Sequence, residues 1–155
     1  MQKIIHIDTS ALVNIVIERV TIGDYKLLTK ERYFFDWKKE KDFDVFKLTI
    51  ENSDDILGLL SLKNIEQEHR FEIKLLATSI ENCGKNKTYE GIAENLIAYA
   101  CRLAVLFYAE NGCVSLLPKT ELKQHYIQKY GMLDAGKQLY LEGKSLLNLL
   151  EKNGL

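Results

Sequence analysis

The fold is decided by residues 85–111, which read KNKTYEGIAENLIAYACRLAVLFYAEN. In the second half of this stretch, apolar or small residues recur every three to four positions, which is the spacing of one helical face. Those positions are Ile92, Leu96, Tyr99, Ala100, Leu103 and Phe107. Further alanine and aliphatic residues widen the face, so we expect a helix that is buried on most sides. Asn111-Gly112 is a C-cap signal, because glycine adopts a left-handed conformation without a Cβ clash.

A polar, lysine-bearing loop precedes this helix and ends at Gly91. The free amides of a first helical turn and the positive end of the helix dipole attract anions. A glycine at that point lets a ligand approach the backbone closely. The residues alone leave two interpretations open, a phosphate-binding loop or a linker followed by a core helix.

Length and composition limit the class of protein. With 155 residues, 46% hydrophobic and 28% charged, the chain is typical of one soluble globular domain, which we place at residues 1–155. The net charge of −1 provides no global field for nucleic acid. We see neither a signal peptide nor an uninterrupted apolar run long enough for a bilayer, so we expect no membrane partner. Three widely spaced cysteines indicate a reducing, cytoplasmic location.

Residue patterns on both sides of the long helix predict a mixed sheet. Alternating or β-branched runs predict strands at residues 3–7, 11–22, 43–50, 56–62, 71–79, 112–117, 132–133 and 137–141. Helices are expected at residues 27–39, 120–130 and 144–152, the second of them stopped by Gly131. The strand–helix–strand unit at 71–117 predicts parallel neighbouring strands. The fold class is therefore α/β or α+β.

The hexapeptide Thr88-Tyr89-Glu90-Gly91-Ile92-Ala93 resembles the Q/R-x-x-G-x-G/A loop of the GNAT superfamily of N-acetyltransferases. In that family the loop opens a long helix between the fourth and fifth strands, which correspond here to residues 73–78 and 113–117. Gly91 and Ala93 match the two small positions, whereas Thr88 stands where Q or R is usual. HYIQKYGM at 125–132 is similar to the family's FYEKLGF segment. The resemblance implies a GNAT-like mixed, mostly antiparallel sheet flanked by helices, with a splay between the fourth and fifth strands.

The resemblance also implies acetyl-coenzyme A as cosubstrate. Backbone groups of Leu76, Ala77 and Thr78 would pair with its pantetheine arm, and amides from Glu90, Gly91, Ile92 and Ala93 would bind its pyrophosphate. The expected cofactor-binding set further includes Lys85, Lys87, Thr88 and Tyr89. The two lysines serve either as point charges for phosphate or as loop-solubilising residues. The Glu90 carboxylate would repel a phosphate unless its side chain turns away.

The family's chemistry is direct attack of an amine on the thioester, and a tyrosine often protonates the leaving thiolate. Tyr126 is the candidate for that acid and Tyr130 the alternative, and each is equally a packing candidate. Glu72 and Glu81 are weaker base candidates, for which a solvated role is the simpler interpretation.

Other reactive side chains lack the partners that their chemistry would need. His125 is a lone helix histidine, His6 and Asp8 are too few for a metal site, and Cys83 lacks a partner for nucleophilic catalysis. We therefore expect no metal. The aromatic residues Tyr33, Phe34, Phe35 and Trp37 are interpreted as core plus the rim of an acceptor groove.

Together these observations predict an acetyl-CoA-dependent N-acetyltransferase acting on an amine of a small-molecule or protein acceptor. The alternative is a non-catalytic GNAT-like domain that binds coenzyme A and regulates or recruits another protein. A third hypothesis is an unrelated α+β binding module. The expected partners are acetyl-CoA and an amine acceptor, without nucleic acid or membrane, in a monomer or homodimer.

Overall fold

The computed structural model describes residues 2–155, with Thr120 described by its backbone alone. Within those residues the chain forms nine strands and four α-helices, joined by short 3₁₀ turns. The strands are β1 (Lys3–His6), β2 (Leu12–Arg19), β3 (Asp44–Ile50), β4 (Ile56–Ile65), β5 (Arg70–Thr78), β6 (Tyr89–Glu90), β7 (Cys113–Leu116), β8 (Leu133–Ala135) and β9 (Gln138–Glu142). The helices are α1 (Lys30–Tyr33), α2 (Ile92–Tyr108), α3 (Lys123–Tyr130) and α4 (Gly143–Lys152).

The strands form a mixed sheet in the order β6-β1-β2-β3-β4-β5-β7-β9-β8. β5 and β7, which flank α2 in sequence, are parallel, with Arg70 opposite Cys113 and Ile73 opposite Leu116. The pairs β1–β2, β1–β6, β2–β3, β7–β9 and β8–β9 are antiparallel. The predicted mixed, mostly antiparallel sheet is therefore confirmed, and so is the parallel pair around the long helix.

The chain divides into two compact units. The first contains the residues up to Ser61 together with Leu75–Leu96, and the second contains Leu62–Lys74 and Ile97–Leu155. The candidate cofactor-binding residues all fall within the first unit, whereas Tyr126 falls within the second.

A hydrophobic cluster that includes Tyr33 and Trp37 lies in the core of the first unit. The local structure around these two residues contradicts one sequence prediction. The segment expected as one helix over residues 27–39 instead forms the short α1 between two 3₁₀ turns. Thr29 caps α1 by accepting from the amide of Arg32, and Phe34 ends it with a positive φ of 74°. This break is tied to the burial of both Tyr33 and Trp37, whose indole Nε1 donates to the Tyr33 carbonyl at 3.0 Å.

The same break leaves Phe34 44% exposed while Trp37 is fully buried. Tyr33 Oη donates to the Ile56 carbonyl at 2.8 Å, which fixes the segment to β4. The hydrophobic cluster consists of Leu28, Tyr33, Trp37, Val45, Ile56, Leu59 and Ala77.

In the second unit, the end of α2 differs from the expected left-handed glycine cap. Gly112 is extended, with φ −65° and ψ 140°, and the positive φ of 51° falls on Ala109. A Cβ on Gly112 would lie 2.6 Å from the carbonyl oxygen of Ala104. Glycine is therefore required there by the close return of the chain against α2. Gly112 does cap the 3₁₀ turn that follows α2, as predicted, but the expected left-handed conformation was wrong. The predicted stop at Gly131 is confirmed, with φ 70° at the end of α3.

The helix spanning Ile92–Asn111 is long and apolar enough to cross a membrane by length and composition alone. Glu94, Arg102 and Glu110 interrupt its apolar residues, so the finding does not contradict the expectation that the chain has no uninterrupted apolar run of that length. Leu96, Ala100 and Ala104, however, are fully buried within the protein, as expected of a core helix. The predicted burial fails only in the last turn, where Leu106 is 67% exposed and Phe107 61%.

Candidate functional site

The loop before α2 is anchored to the first strand of the chain. β6 pairs with β1, with Glu90 opposite Ile5 and Tyr89 opposite His6. One step earlier, the amide of Ile7 donates to the carbonyl of Thr88 at 2.9 Å. This two-residue strand was not predicted, because its partner lies more than eighty residues away in sequence. It fixes residues 88–90 as a sheet edge that leads directly into the helix.

Gly91 forms the corner between β6 and α2. Its φ is +101°, a conformation that L side chains rarely adopt, so the backbone itself requires glycine here. The first amides of an α-helix have no acceptor within the helix, and the dipole places positive potential at that end. The corner therefore presents backbone donors from the Gly91–Ala93 turn, which suits a phosphate.

Asn95 holds this corner in place from inside the helix. Its side chain is buried, and its Nδ2 donates to the carbonyls of Gly91 at 2.7 Å and Lys3 at 2.9 Å. Gln2, also buried, donates from Nε2 to the Asn95 carbonyl at 2.8 Å and to Oδ1 at 3.0 Å. Sequence reasoning missed both residues. The available signal was an amide side chain on the buried face of an otherwise apolar helix.

Gly58 in β4 determines how closely the start of α2 packs on the sheet. A Cβ at that position would lie 2.6 Å from Ile92 Cγ2 and 2.9 Å from Leu96 Cδ1. Because interiors are packed to crystal-like density, such an atom has no space unless the first turn of the helix moves. Gly58 is therefore a second determinant of the corner that the sequence pattern did not reveal.

The polar loop between β5 and β6 is closed at its base by Asn82. This buried side chain donates from Nδ2 to Ser79 Oγ at 2.9 Å and accepts the amide of Tyr89 at 2.9 Å on Oδ1. Its own amide donates to the Ser79 carbonyl at 2.8 Å. The loop is thus tied both where it leaves β5 and where it enters β6.

An ion pair within the loop resolves the electrostatic difficulty at Glu90. Lys87 Nζ lies 2.6 Å from Glu90 Oε2, so the carboxylate faces a lysine. Lys85 is exposed on the same loop. Two lysines and one glutamate in residues 85–93 give a local formal charge of 2 − 1 = +1.

The expected pantetheine-binding residues lie at the end of β5. The pairing of β5 with β7 ends at Ile73 and Leu116, where β7 itself ends, so Leu76, Ala77 and Thr78 continue beyond it. Ala77 belongs to the hydrophobic cluster of the first unit. These are the positions where backbone groups could serve a ligand, as the resemblance implies.

The two carboxylate candidates for a general base are both held by arginine. Glu81 accepts from Arg32 Nη2 at 2.5 Å and from Nε at 3.1 Å, while Arg32 Nη1 also donates to Asp55 at 2.9 Å. Partial burial raises the pKa of Glu81, but the hydrogen bonds and charge of Arg32, together with hydrogen bonds from the Glu81 amide and Ser79, outweigh it and the net pKa is lowered. In the second unit, Glu72 lies 3.3 Å from Arg70. The simple solvated role expected for both carboxylates is replaced by ion pairing.

Tyr126 lies on α3 in the second unit, where it is partly buried. Its ring contacts those of Tyr130 and His125, with centroids 5.7 Å and 5.9 Å away. Burial raises the pKa of the Tyr126 phenol. Tyr130, the alternative, is buried. Among the residues that the structure describes, no cluster of three metal-binding side chains occurs.

Comparison with solved structures shows the class of fold. A chimeric spermidine N-acetyltransferase from Vibrio cholerae is 14% identical, with a TM-score of 0.66 over 87% of this chain and 99% of that chain. A dodecameric spermidine N-acetyltransferase from the same organism is 16% identical, with a TM-score of 0.63 over 87% and 97%. A Bacillus anthracis protein described as a streptothricin acetyltransferase, solved with acetyl-coenzyme A, is 12% identical, with a TM-score of 0.62 over 84% and 99%.

These likenesses show that the chain has a GNAT-like fold, as the resemblance at the Gly91 loop implied. No family model and no curated protein matches the sequence. At identities of 12–17%, these likenesses show the fold alone.

Proposed function

We propose that this protein is an N-acetyltransferase that moves the acetyl group of acetyl-CoA to an amine of a small-molecule or protein acceptor. The observation that carries the proposal is the Gly91 corner at the start of α2, within a GNAT-like fold. The corner combines a positive-φ glycine, helix-start donors and a rigid attachment to β1.

The residues fit the proposed cosubstrate. Donors at Gly91, Ile92 and Ala93 would receive the pyrophosphate, and each charge-assisted hydrogen bond could contribute about 1.5–3 kcal/mol. Lys85 would add a point charge, since Lys87 is already engaged by Glu90. The end of β5 at Leu76, Ala77 and Thr78 would offer backbone groups to the pantetheine arm.

The proposed reaction is direct transfer. The acceptor nitrogen attacks the thioester carbon, a C–N bond forms, the C–S bond breaks, the nitrogen loses a proton, and the departing thiolate gains one. Tyr126 is the proposed donor of that last proton, because a phenol is protonated at neutral pH and can act as a general acid. An acceptor that arrives as a neutral amine would need no strong base, and the lowered pKa of Glu81 makes that carboxylate a weak one.

Calorimetric titration with acetyl-CoA tests binding, and release of free coenzyme A thiol tests transfer. A panel of spermidine, streptothricin, lysine peptides and simple primary amines covers the acceptor classes. We expect binding with at least one acceptor turned over. Absence of binding at millimolar acetyl-CoA would refute the proposal.

The Tyr126→Phe variant tests the assigned acid separately. General acid catalysis contributes about 10²–10⁴-fold, so kcat should fall by a factor in that range while the Kd for acetyl-CoA stays constant. An unchanged kcat would remove Tyr126 from the mechanism.

A second candidate is a non-catalytic domain that binds coenzyme A and acts through interaction with other proteins. It is favoured by Thr88 at the usual Q/R position and by the partial neutralisation of Lys87. This candidate predicts binding of acetyl-CoA without thiol release for every amine in the panel. Tyr126→Phe would then change neither measurement.

A further inference from the structure

Two buried asparagines, Asn82 and Asn95, hold the two ends of residues 83–93, here named the phosphate-binding segment. Asn82 is 5% exposed and Asn95 2% exposed. An unpaired buried amide is costly, so buried asparagines are expected to be engaged by hydrogen bonds. Both residues bond to the backbone of this segment. Their other bonds go to residues at the ends of neighbouring strands, Ser79 for Asn82 and Gln2 and Lys3 for Asn95.

At the first end, Asn82 joins the exit from β5 to the entrance of β6. Its Nδ2 donates to Ser79 Oγ and its Oδ1 accepts from the Tyr89 amide, each at 2.9 Å. Ser79 is in turn fixed to β4, because its amide donates to the Leu57 carbonyl at 2.8 Å. One side chain thus closes a loop whose intervening residues are largely exposed.

At the second end, Asn95 joins the corner to β1. The Gly91 carbonyl accepts from Asn95 Nδ2 at 2.7 Å and from the Asn95 amide at 3.1 Å. The same Nδ2 donates to the Lys3 carbonyl at 2.9 Å. The orientation of the Gly91–Ile92 peptide is therefore set by a side chain that is buried within the protein.

We propose that Asn82 and Asn95 are positioning residues, which hold the phosphate-binding segment in its ligand-binding conformation before acetyl-CoA arrives. This inference rests on the proposed function. The physical reason is preorganisation. A segment that becomes ordered only when the ligand binds reduces the binding free energy by the cost of that ordering, whereas a segment that is already ordered does not. Neither asparagine needs to touch the ligand.

The test uses Asn82→Ala and Asn95→Ala in the full chain, with two probes. Acetyl-CoA reports on the phosphate-binding segment, and S-acetylpantetheine, which lacks the pyrophosphate and nucleotide, reports on the rest of the site. We expect each variant to bind acetyl-CoA about tenfold more weakly, a loss of binding free energy comparable to that of one hydrogen bond. Titration with S-acetylpantetheine should be unchanged.

Asn153→Ala is the matched control. Asn153 is partly buried, and its Nδ2 donates to the Leu149 carbonyl at 2.9 Å at the end of α4, outside the segment. Its loss should leave both probes unaffected. Amide hydrogen exchange of the ligand-free variants supplies a second readout: exchange should accelerate within residues 83–93 in the Asn82 variant and stay constant in α4.

Unchanged acetyl-CoA affinity in the Asn82 variant would overturn the inference, and so would an equal loss for both probes, which indicates a general structural role. If Asn95→Ala does not fold, the Asn82 variant decides alone. If the wild-type protein does not bind acetyl-CoA, the proposed function is refuted. If the wild type binds normally and the variants bind equally well, only the inference about the asparagines is refuted.

Discussion

Replacing Gly91 by alanine is the sharpest perturbation of the corner that opens α2. The added Cβ would find ordinary space, 3.6 Å from Asn95 Nδ2 and 4.0 Å from Ile4 Cγ2. The cost therefore arises from the backbone, whose φ of +101° is a region that alanine rarely occupies. Such strain is worth about 1–3 kcal/mol. For a chain of this length, it corresponds to a decrease in melting temperature of about 2–12 °C.

Two measurements separate the loss of stability caused by backbone strain from the loss of acetyl-CoA affinity at the site. Thermal unfolding should show the decrease in stability, and calorimetry should show weaker binding of acetyl-CoA, because relief of the strain moves the Gly91–Ala93 turn. Gly136→Ala is the matched control, since Gly136 has φ +88° and no heavy atom within 4 Å of the place that an added methyl group would take. That control should lose comparable stability and keep its affinity.

The reasoning would be refuted if Gly91→Ala lost stability as predicted but bound acetyl-CoA as tightly as the wild type. That result would mean that the corner is structurally strained without contributing to the ligand site. A loss of affinity in the Gly136 variant would equally contradict it, because the effect would then follow global stability.

Three further outcomes follow from the first unit. Glu90→Gln should tighten acetyl-CoA binding about two- to fivefold by releasing Lys87 from a partly exposed ion pair, measured by calorimetry. Gly58→Ala should destabilise the fold by about 1–3 kcal/mol through overpacking, measured by urea unfolding. The pKa of Asp24 is lowered overall, because its bonds with Lys47 and the Thr21 cap outweigh the effect of burial, which raises it. The stability that ionised Asp24 contributes is therefore present above the unfolded pKa near 3.8 and is lost as the pH falls through the folded pKa. Lys47→Met should flatten this acid dependence in unfolding measured from about pH 5 to 2.

Features that repeat locally in the sequence were predictable. The alternation in residues 43–50 indicated β3, the continuous apolar run at 56–62 indicated the buried core of β4, and the period of three to four indicated α2. The strand preference at residues 11–22 was confirmed as β2. In each case the spacing of apolar residues within the element indicates both its type and its buried face, so the sequence alone is enough to predict it.

Features that depend on distant partners were not predictable. β6 is two residues long and exists because β1 offers a free edge. Gly58 and Gly112 are glycine because another element passes within van der Waals distance, and no local pattern records that approach. The aromatic segment at 27–39 has good helix formers, yet the burial of Tyr33 and Trp37 accompanies a broken helix, because tertiary packing outweighs weak local propensity.

The same distinction explains how the candidate site accommodates Thr88 at the family's Q/R position. What residue 88 contributes to the local fold is its carbonyl, which accepts the Ile7 amide at 2.9 Å. Any residue supplies a carbonyl, and the Thr88 side chain is exposed. Gly91, by contrast, supplies a backbone conformation that other residues adopt only under strain, and Asn95 fixes that conformation from within. The corner therefore depends on Gly91, on the buried amide of Asn95 and on the close packing at Gly58. The side chain at position 88 can vary without loss of the backbone geometry that a phosphate would meet.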